Sequence, residues 1–131
     1  MVVKQWGEPT GITISESYEM TEAMPVTYNN YIRYVIGSVG HSVLGVEIQV
    51  RDTAGKRLEQ GREGEICIRG PIVMKGYLNN PEETQYAFWE GGWYRSDDIG
   101  RFNYKLPNKT GGFFGFPFRR FFILEILVDI I

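Results

Sequence analysis

Residues 61–84 read GREGEICIRGPIVMKGYLNNPEET, and the fold turns on this stretch. It opens with a glycine-flanked turn. Residues 65–69 then alternate, with Ile66 and Ile68 on one face, which predicts a short strand. Gly70-Pro71 breaks that strand. A second apolar run, Ile72-Val73-Met74, reads as another strand and stops at Gly76. Asn80 then offers a side-chain oxygen as N-cap, Pro81 suits the first helical position, and Glu83 follows the cap by three residues. Two strands and a capped helix are therefore expected in quick succession.

Working outward, the helix that begins at Pro81 carries Thr84, Ala87 and Phe88 at helical spacing, and Gly91-Gly92 is expected to end it. Trp93-Tyr94 restarts an apolar segment. Upstream, Val46, Ile48 and Val50 alternate with Glu47, Gln49 and Arg51, the pattern of a strand with one face buried and one wet. Residues 52–56 form a turn, and Leu58 lies in the connection to the 61–84 stretch. Residues 31–36 alternate weakly before the turn Gly37-Ser38-Val39-Gly40. Ile12-Thr13-Ile14, β-branched and flanked by turn residues, reads as a buried strand. The loop after such a strand would lie where open α/β sheets bind ligands. The fold class expected is α+β: a small antiparallel sheet or distorted β-barrel subdomain with one or two short helices.

Composition suits a single domain of 131 residues, with 43% hydrophobic and 15% aromatic residues to supply a core. The formal net charge of -2 and the absence of a basic stripe argue against nucleic acid as a partner. The single cysteine, Cys67, excludes an intramolecular disulfide and reads as a buried strand thiol. The single histidine, His41, has no second histidine for a multi-His metal site and reads as a loop or surface residue. The first residues show no signal-peptide pattern, and nothing reads as a transmembrane segment, so the cytoplasm is the expected compartment.

The stretch also reads G-E-I-x-I-R-G-x-x-V-M-x-G-Y-x-N-x-P-E-x-T, which resembles a core motif of the adenylate-forming (AMP-binding) enzymes, the superfamily of acyl-CoA synthetases, luciferases and peptide-synthetase adenylation domains. Three further segments carry the same resemblance, one of them the turn Gly37-Ser38-Val39-Gly40, which is similar to G-S-x-G. Tyr18-Glu19-Met20-Thr21-Glu22 is similar to the signature Y-G-x-T-E. Trp93-Tyr94-Arg95-Ser96-Asp97-Asp98-Ile99-Gly100 is similar to W-Y-R-S/T-G-D-I-G. The resemblance implies adenine contact for Tyr18, phosphate contact for Thr21, magnesium for Glu22 and the ribose hydroxyls for Asp98. The chemistry agrees. A tyrosine ring stacks on a flat base, a threonine hydroxyl donates to phosphate, a carboxylate is a hard oxygen ligand for Mg2+, and a carboxylate accepts from vicinal hydroxyls. No residue receives a catalytic role.

The family pattern has glycine where this chain has Glu19 and Asp97. Glycine tolerates positive φ and close backbone approach. Each replacement also adds a carboxylate beside the expected triphosphate. Two like charges about 4 Å apart cost about 4 kcal/mol at an effective dielectric of about 20. Both changes argue against efficient use of ATP.

The resemblance runs from about residue 4 to Asn103. Residues 1–103 are expected to form a partial AMP-binding domain bearing the adenine, magnesium and ribose loops. Residues 104–131, YKLPNKTGGFFGFPFRRFFILEILVDII, fit no part of the pattern and read as an unrelated apolar tail, disordered or from an altered reading frame. The family's phosphate loop and its C-terminal lysine domain have no counterpart, so the chain reads as an internal piece of a longer enzyme. What the resemblance implies is part of an acid–thiol ligase: a carboxylic acid, with fatty acid the closest wording, is adenylated by ATP and passed to coenzyme A. ATP/AMP, Mg2+ and coenzyme A are the implied cofactors and co-substrate, and a separate chain would carry the missing domains. The alternatives are a non-catalytic nucleotide-binding or interaction module, and a decayed gene product without activity.

Overall fold

The computed structural model describes residues 9–29, 37–103 and 123–126. Antiparallel strands dominate it. The first sheet has the order β1 (Ser17–Met20), β2 (Ala23–Tyr28), β3 (His41–Ser42). The second sheet runs β4 (Glu47–Arg51), β5 (Gly64–Arg69), β7 (Trp93–Asn103), β6 (Phe88–Trp89). A short helix, α1 (Pro81–Tyr86), precedes β6, and β8 (Ile123–Ile126) pairs with the far end of β7. This is the small antiparallel α+β arrangement that the sequence predicts.

The strand expected at 65–69 is β5, and its two faces are both covered. Ile66, Cys67 and Ile68 all have 0% exposure. Ile66 and Ile68 join one cluster with Tyr18, Ala23, Val26, Val46, Ala87 and Tyr94, which spans both sheets. Each aliphatic side chain buried this fully contributes about 1.5–3 kcal/mol. On the other side of the second sheet, arginines stack over aromatic rings: Arg69 and Arg51 over Trp93 at 4.4 and 5.0 Å, Arg95 over Trp89 and Tyr86 at 4.7 and 4.5 Å. Arg95 also pairs with Glu65 at 3.2 Å. Cys67 is covered within this layer, and burial pushes its thiol up to about 12. It is the buried strand thiol expected.

Several local expectations change. Ile12-Thr13-Ile14 forms no strand, and Ile12 is 63% exposed. Among the described residues its β-branched side chains have no neighbouring strand, and propensity alone does not make one. Ile72-Val73-Met74 is a turn joined to the first sheet by one bridge, Ala23 to Val73, so Gly70-Pro71 ends the strand for good. The helix stops at Tyr86. Phe88 and Trp89 instead pair with Tyr94 and Trp93, and Gly91-Gly92 makes the hairpin turn with φ of 78° and 75°. Two successive residues at positive φ suit a tight hairpin, which takes precedence over the helical spacing. His41 lies in β3, half-buried, its ring edge-on to Tyr28 at 5.8 Å. The expectations for residues 31–36, and nearly all of those for the tail, fall outside the described residues.

Candidate functional site

The β1–β2 turn consists of Thr21 and Glu22. Its neighbour Tyr18 is held from the backbone by a buried threonine. Thr27, at 0% exposure, accepts the Tyr18 N–H at 3.1 Å and donates its own hydroxyl to the Val39 carbonyl at 2.7 Å. A fully buried hydroxyl is tolerated there because both of its hydrogen-bonding roles are filled. Tyr18 itself is 8% exposed, so its ring belongs to the core and only its hydroxyl reaches the site. That hydroxyl donates to Oδ2 of Asp98 at 2.5 Å. Burial first, then this bond to a carboxylate, pushes the phenol well above its usual range.

Asp98 reaches Tyr18 because β7 bulges. Glu65 pairs with Ile99 and Cys67 with Arg95, so Ser96, Asp97 and Asp98 together oppose Ile66 alone. The Ile66 carbonyl thereby loses its ladder partner, and the Ser96 hydroxyl takes that place at 2.8 Å. The same Ser96 oxygen accepts the Asp98 N–H at 3.1 Å. Asp97, at the crest, has φ of 59°, the left-handed conformation for which glycine is the ordinary choice. The concern raised by the sequence therefore holds for the backbone of Asp97. It does not hold for that of Glu19, which lies within β1 and has no positive φ. The irregularity beside Glu19 falls on β2, where Met24, Pro25 and Val26 oppose it.

Glu22 is fixed twice by the loop that precedes α1. The Met74 N–H donates to its carbonyl at 2.8 Å, and the Tyr77 hydroxyl donates to its Oε1 at 3.1 Å. The rest of the motif holds Tyr77. Thr84 Oγ1 accepts the Tyr77 N–H at 2.9 Å and donates to the Asn80 carbonyl at 2.8 Å. Asn80 Oδ1 caps the helix through the Glu83 N–H at 3.2 Å. A Cβ on Gly76 would lie 2.6 Å from Thr84 Cγ2, so glycine is what lets Thr84 sit there. Tyr94, 5% exposed, joins the two groups. Its hydroxyl is raised first by burial, then by a hydrogen bond with Tyr77 and by the charges of Glu22 and Asp97. Tyr77, Tyr94 and Ser96 had no assigned role from sequence. Tyr77 and Tyr94 stand inside the quoted motifs, but nothing in the chain order says which carboxylate their hydroxyls meet.

The structure thus joins Tyr18 to Asp98, and brings Glu22 and Asp97 within electrostatic reach of the Tyr94 hydroxyl. Thr21 is exposed on the turn beside Glu22. Among the described residues no group of three or more His, Cys, Asp or Glu gathers as for a metal. A magnesium ion would have Glu22 as its protein ligand here. That donor set fits Mg2+, which retains water and takes substrate phosphates. Glu22 Oε2 accepts nothing from the described residues, so one oxygen is open to it. Asp98 is exposed, and its Oδ1, engaged by none of the described residues, suits hydroxyl donors such as a ribose diol. Among the described residues no helix is long and apolar enough to cross a membrane.

The family model described as "AMP-binding enzyme" matches residues 2–78. The chain belongs to the AMP-binding enzyme family. It is 38% identical over 107 residues to an oxalate–CoA ligase of Arabidopsis thaliana, covering 79% of this chain and 20% of that protein. It is 37% identical over 100 residues to a long-chain-fatty-acid–CoA ligase of Yersinia pestis, covering 75% of this chain and 18% of that one. The crystal structure of apo MatB from Rhodopseudomonas palustris superposes with a TM-score of 0.75 and 32% identity, over 95% of this chain and 22% of that chain. Its ATP-bound form gives the same TM-score and identity over 93% and 22%. The chain spans about a fifth of the length of these relatives.

Proposed function

We propose that this chain supplies the nucleotide-facing edge of an ATP-dependent acyl-CoA ligase. In that reaction a carboxylate oxygen attacks the α-phosphorus of ATP and pyrophosphate leaves. A thiol sulfur then attacks the acyl carbon and AMP leaves. The adenine stacking expected of Tyr18 does not suit its buried ring, so its hydroxyl instead serves the nucleotide through Asp98, while Thr21 donates to phosphate, Glu22 holds Mg2+ and Asp98 accepts from the ribose hydroxyls. When bound, the metal neutralises phosphate charge. This chain's own part is to orient: the Tyr18 hydroxyl fixes one oxygen of Asp98 and leaves the other for the sugar.

The observation that carries this reading is the hydrogen bond between Tyr18 and Asp98, which joins the first and last of the family-like segments. A fatty acid is the proposed carboxylate, on the wording of residues 73–84. The oxalate and long-chain relatives match almost equally well, so the acid is tested against a panel that includes both. The direct test is calorimetric titration of the purified chain with AMP, and with ATP in Mg2+. Binding of both, lost in Asp98→Ala, is expected. No binding of either nucleotide would end the reading.

A second reading, a nucleotide-binding module that works beside a separate chain, draws on exposed apolar side chains. Leu44 is fully exposed, Leu78 is 91% exposed and Met24 59%. Co-purification with a chain carrying the remaining domains, with activity only in the mixture, would favour it.

A further inference from the structure

We infer that Tyr77 is a positioning residue for Glu22, and that the loop of residues 76–84 exists in this form to hold its hydroxyl there. The inference rests on Glu22 as the magnesium ligand and adds the group that aims it. Glu22 is half-buried on a two-residue turn, with a flexible side chain. Without a partner its carboxylate would have to be ordered by each incoming ion. Tyr77 removes that cost by donating to Oε1 at 3.1 Å, which leaves Oε2, engaged by none of the described residues, as the ligand. The donor is itself held from both ends. Its N–H goes to Thr84 Oγ1 at 2.9 Å, and its carbonyl accepts the Asn80 N–H at 3.3 Å. The Glu22 backbone is tied to the same loop through Met74 at 2.8 Å, so turn and loop are one unit at this point. A ring that served only as packing would not be left 36% exposed with its hydroxyl on a carboxylate.

The test compares the whole chain with its Tyr77→Phe and Glu22→Gln variants. ATP binding is followed as Mg2+ is titrated, and AMP binding is measured without metal. Phenylalanine keeps the ring and removes the hydroxyl, with its bonds to Glu22 and to Tyr94. The expected result for Tyr77→Phe is a half-saturating Mg2+ concentration raised on the order of tenfold, with AMP affinity unchanged. Glu22→Gln should lose the Mg2+ dependence altogether. If Glu22→Gln loses it and Tyr77→Phe matches the wild type, the positioning role is wrong and the nucleotide reading survives. If Tyr77→Phe weakens AMP as much as ATP, the residue is merely structural and the inference fails. If the wild type shows no Mg2+ dependence, or Glu22→Gln retains it, the magnesium reading falls and takes this inference with it.

Discussion

The Tyr18 hydroxyl donates to Asp98 Oδ2 at 2.5 Å across 80 positions of sequence. Neither residue would reach the other from regular strands. Tyr18 is set by the buried Thr27 hydroxyl, and Asp98 by a bulge in which three residues face one. The bond is therefore a reporter of whether the two sheets are correctly joined.

Tyr18→Phe tests that bond. The ring stays and the donor goes, so the expected loss is about 1 kcal/mol in urea unfolding, below the usual figure for a hydrogen bond to a charged group because Asp98 is exposed. In a double-mutant cycle with Asp98→Asn the two losses should be strongly non-additive. Additive losses would mean that the contact contributes nothing in solution.

Ser96→Ala tests the bulge. It strips the Ile66 carbonyl of its donor and the Asp98 N–H of its acceptor in one step. Ile66 is fully buried, so an unsatisfied carbonyl there should cost about 1–3 kcal/mol. Nucleotide affinity should fall as well, because the bulge aims Asp98. A variant with wild-type stability would show that the bulge holds its shape without Ser96.

Asp97→Gly and Glu19→Gly separate two replacements that look alike in sequence. Asp97 has φ of 59°, so glycine there relieves the backbone and removes a carboxylate close to Tyr94. Stability should change by less than about 1 kcal/mol, since the unfolded chain gains entropy too, while ATP binding tightens several-fold. Glu19→Gly should instead cost about 0.5–1 kcal/mol, because glycine weakens an ordinary strand. Calorimetric melting and ATP titration of both variants decide it.

Alkaline pH should destabilise the chain in a defined order. Cys67 is raised from 9.0 to about 12 by burial and then by the Glu65 charge, and the Tyr18 and Tyr94 phenols are raised above 10.0. A raised pKa means that the folded state holds its proton more tightly than the unfolded chain does. Below pH 9.0 all three groups are protonated in both states and their stabilisation is complete. From 9.0 upward the unfolded thiol ionises first and stability falls, with the phenols adding to the loss above 10.0. The urea midpoint measured against pH should decline across this window. Cys67→Ala should start lower but stay flat until the tyrosines begin.

Much of this was legible before any coordinates. β4, β5 and the capped start of α1 follow from alternation and from the Asn-Pro cap, which act within a few residues. Cys67 is the buried strand thiol expected, although it faces away from Ile66 and Ile68 and is covered by the arginine–aromatic layer. The failures share one cause. Ile12-Thr13-Ile14 has strand-like composition but no strand to pair with among the described residues, and Phe88-Trp89 has helical spacing but a hairpin partner in Tyr94 and Trp93. Pairing is a property of two segments, and a local pattern describes one.

The amino-acid order by itself determined the family resemblance, the identity of the candidate ligand residues and the glycines that the turns require. These depend on residue type and short spacing. Only the tertiary structure decided that the Tyr18 ring is buried while its hydroxyl meets Asp98, that Ser96 supports the bulge, and that Tyr77 aims Glu22. Hydrogen bonds of about 3 Å between distant segments depend on strand register and bulge placement. Register is set by the whole packed core, and no single stretch of the chain contains it.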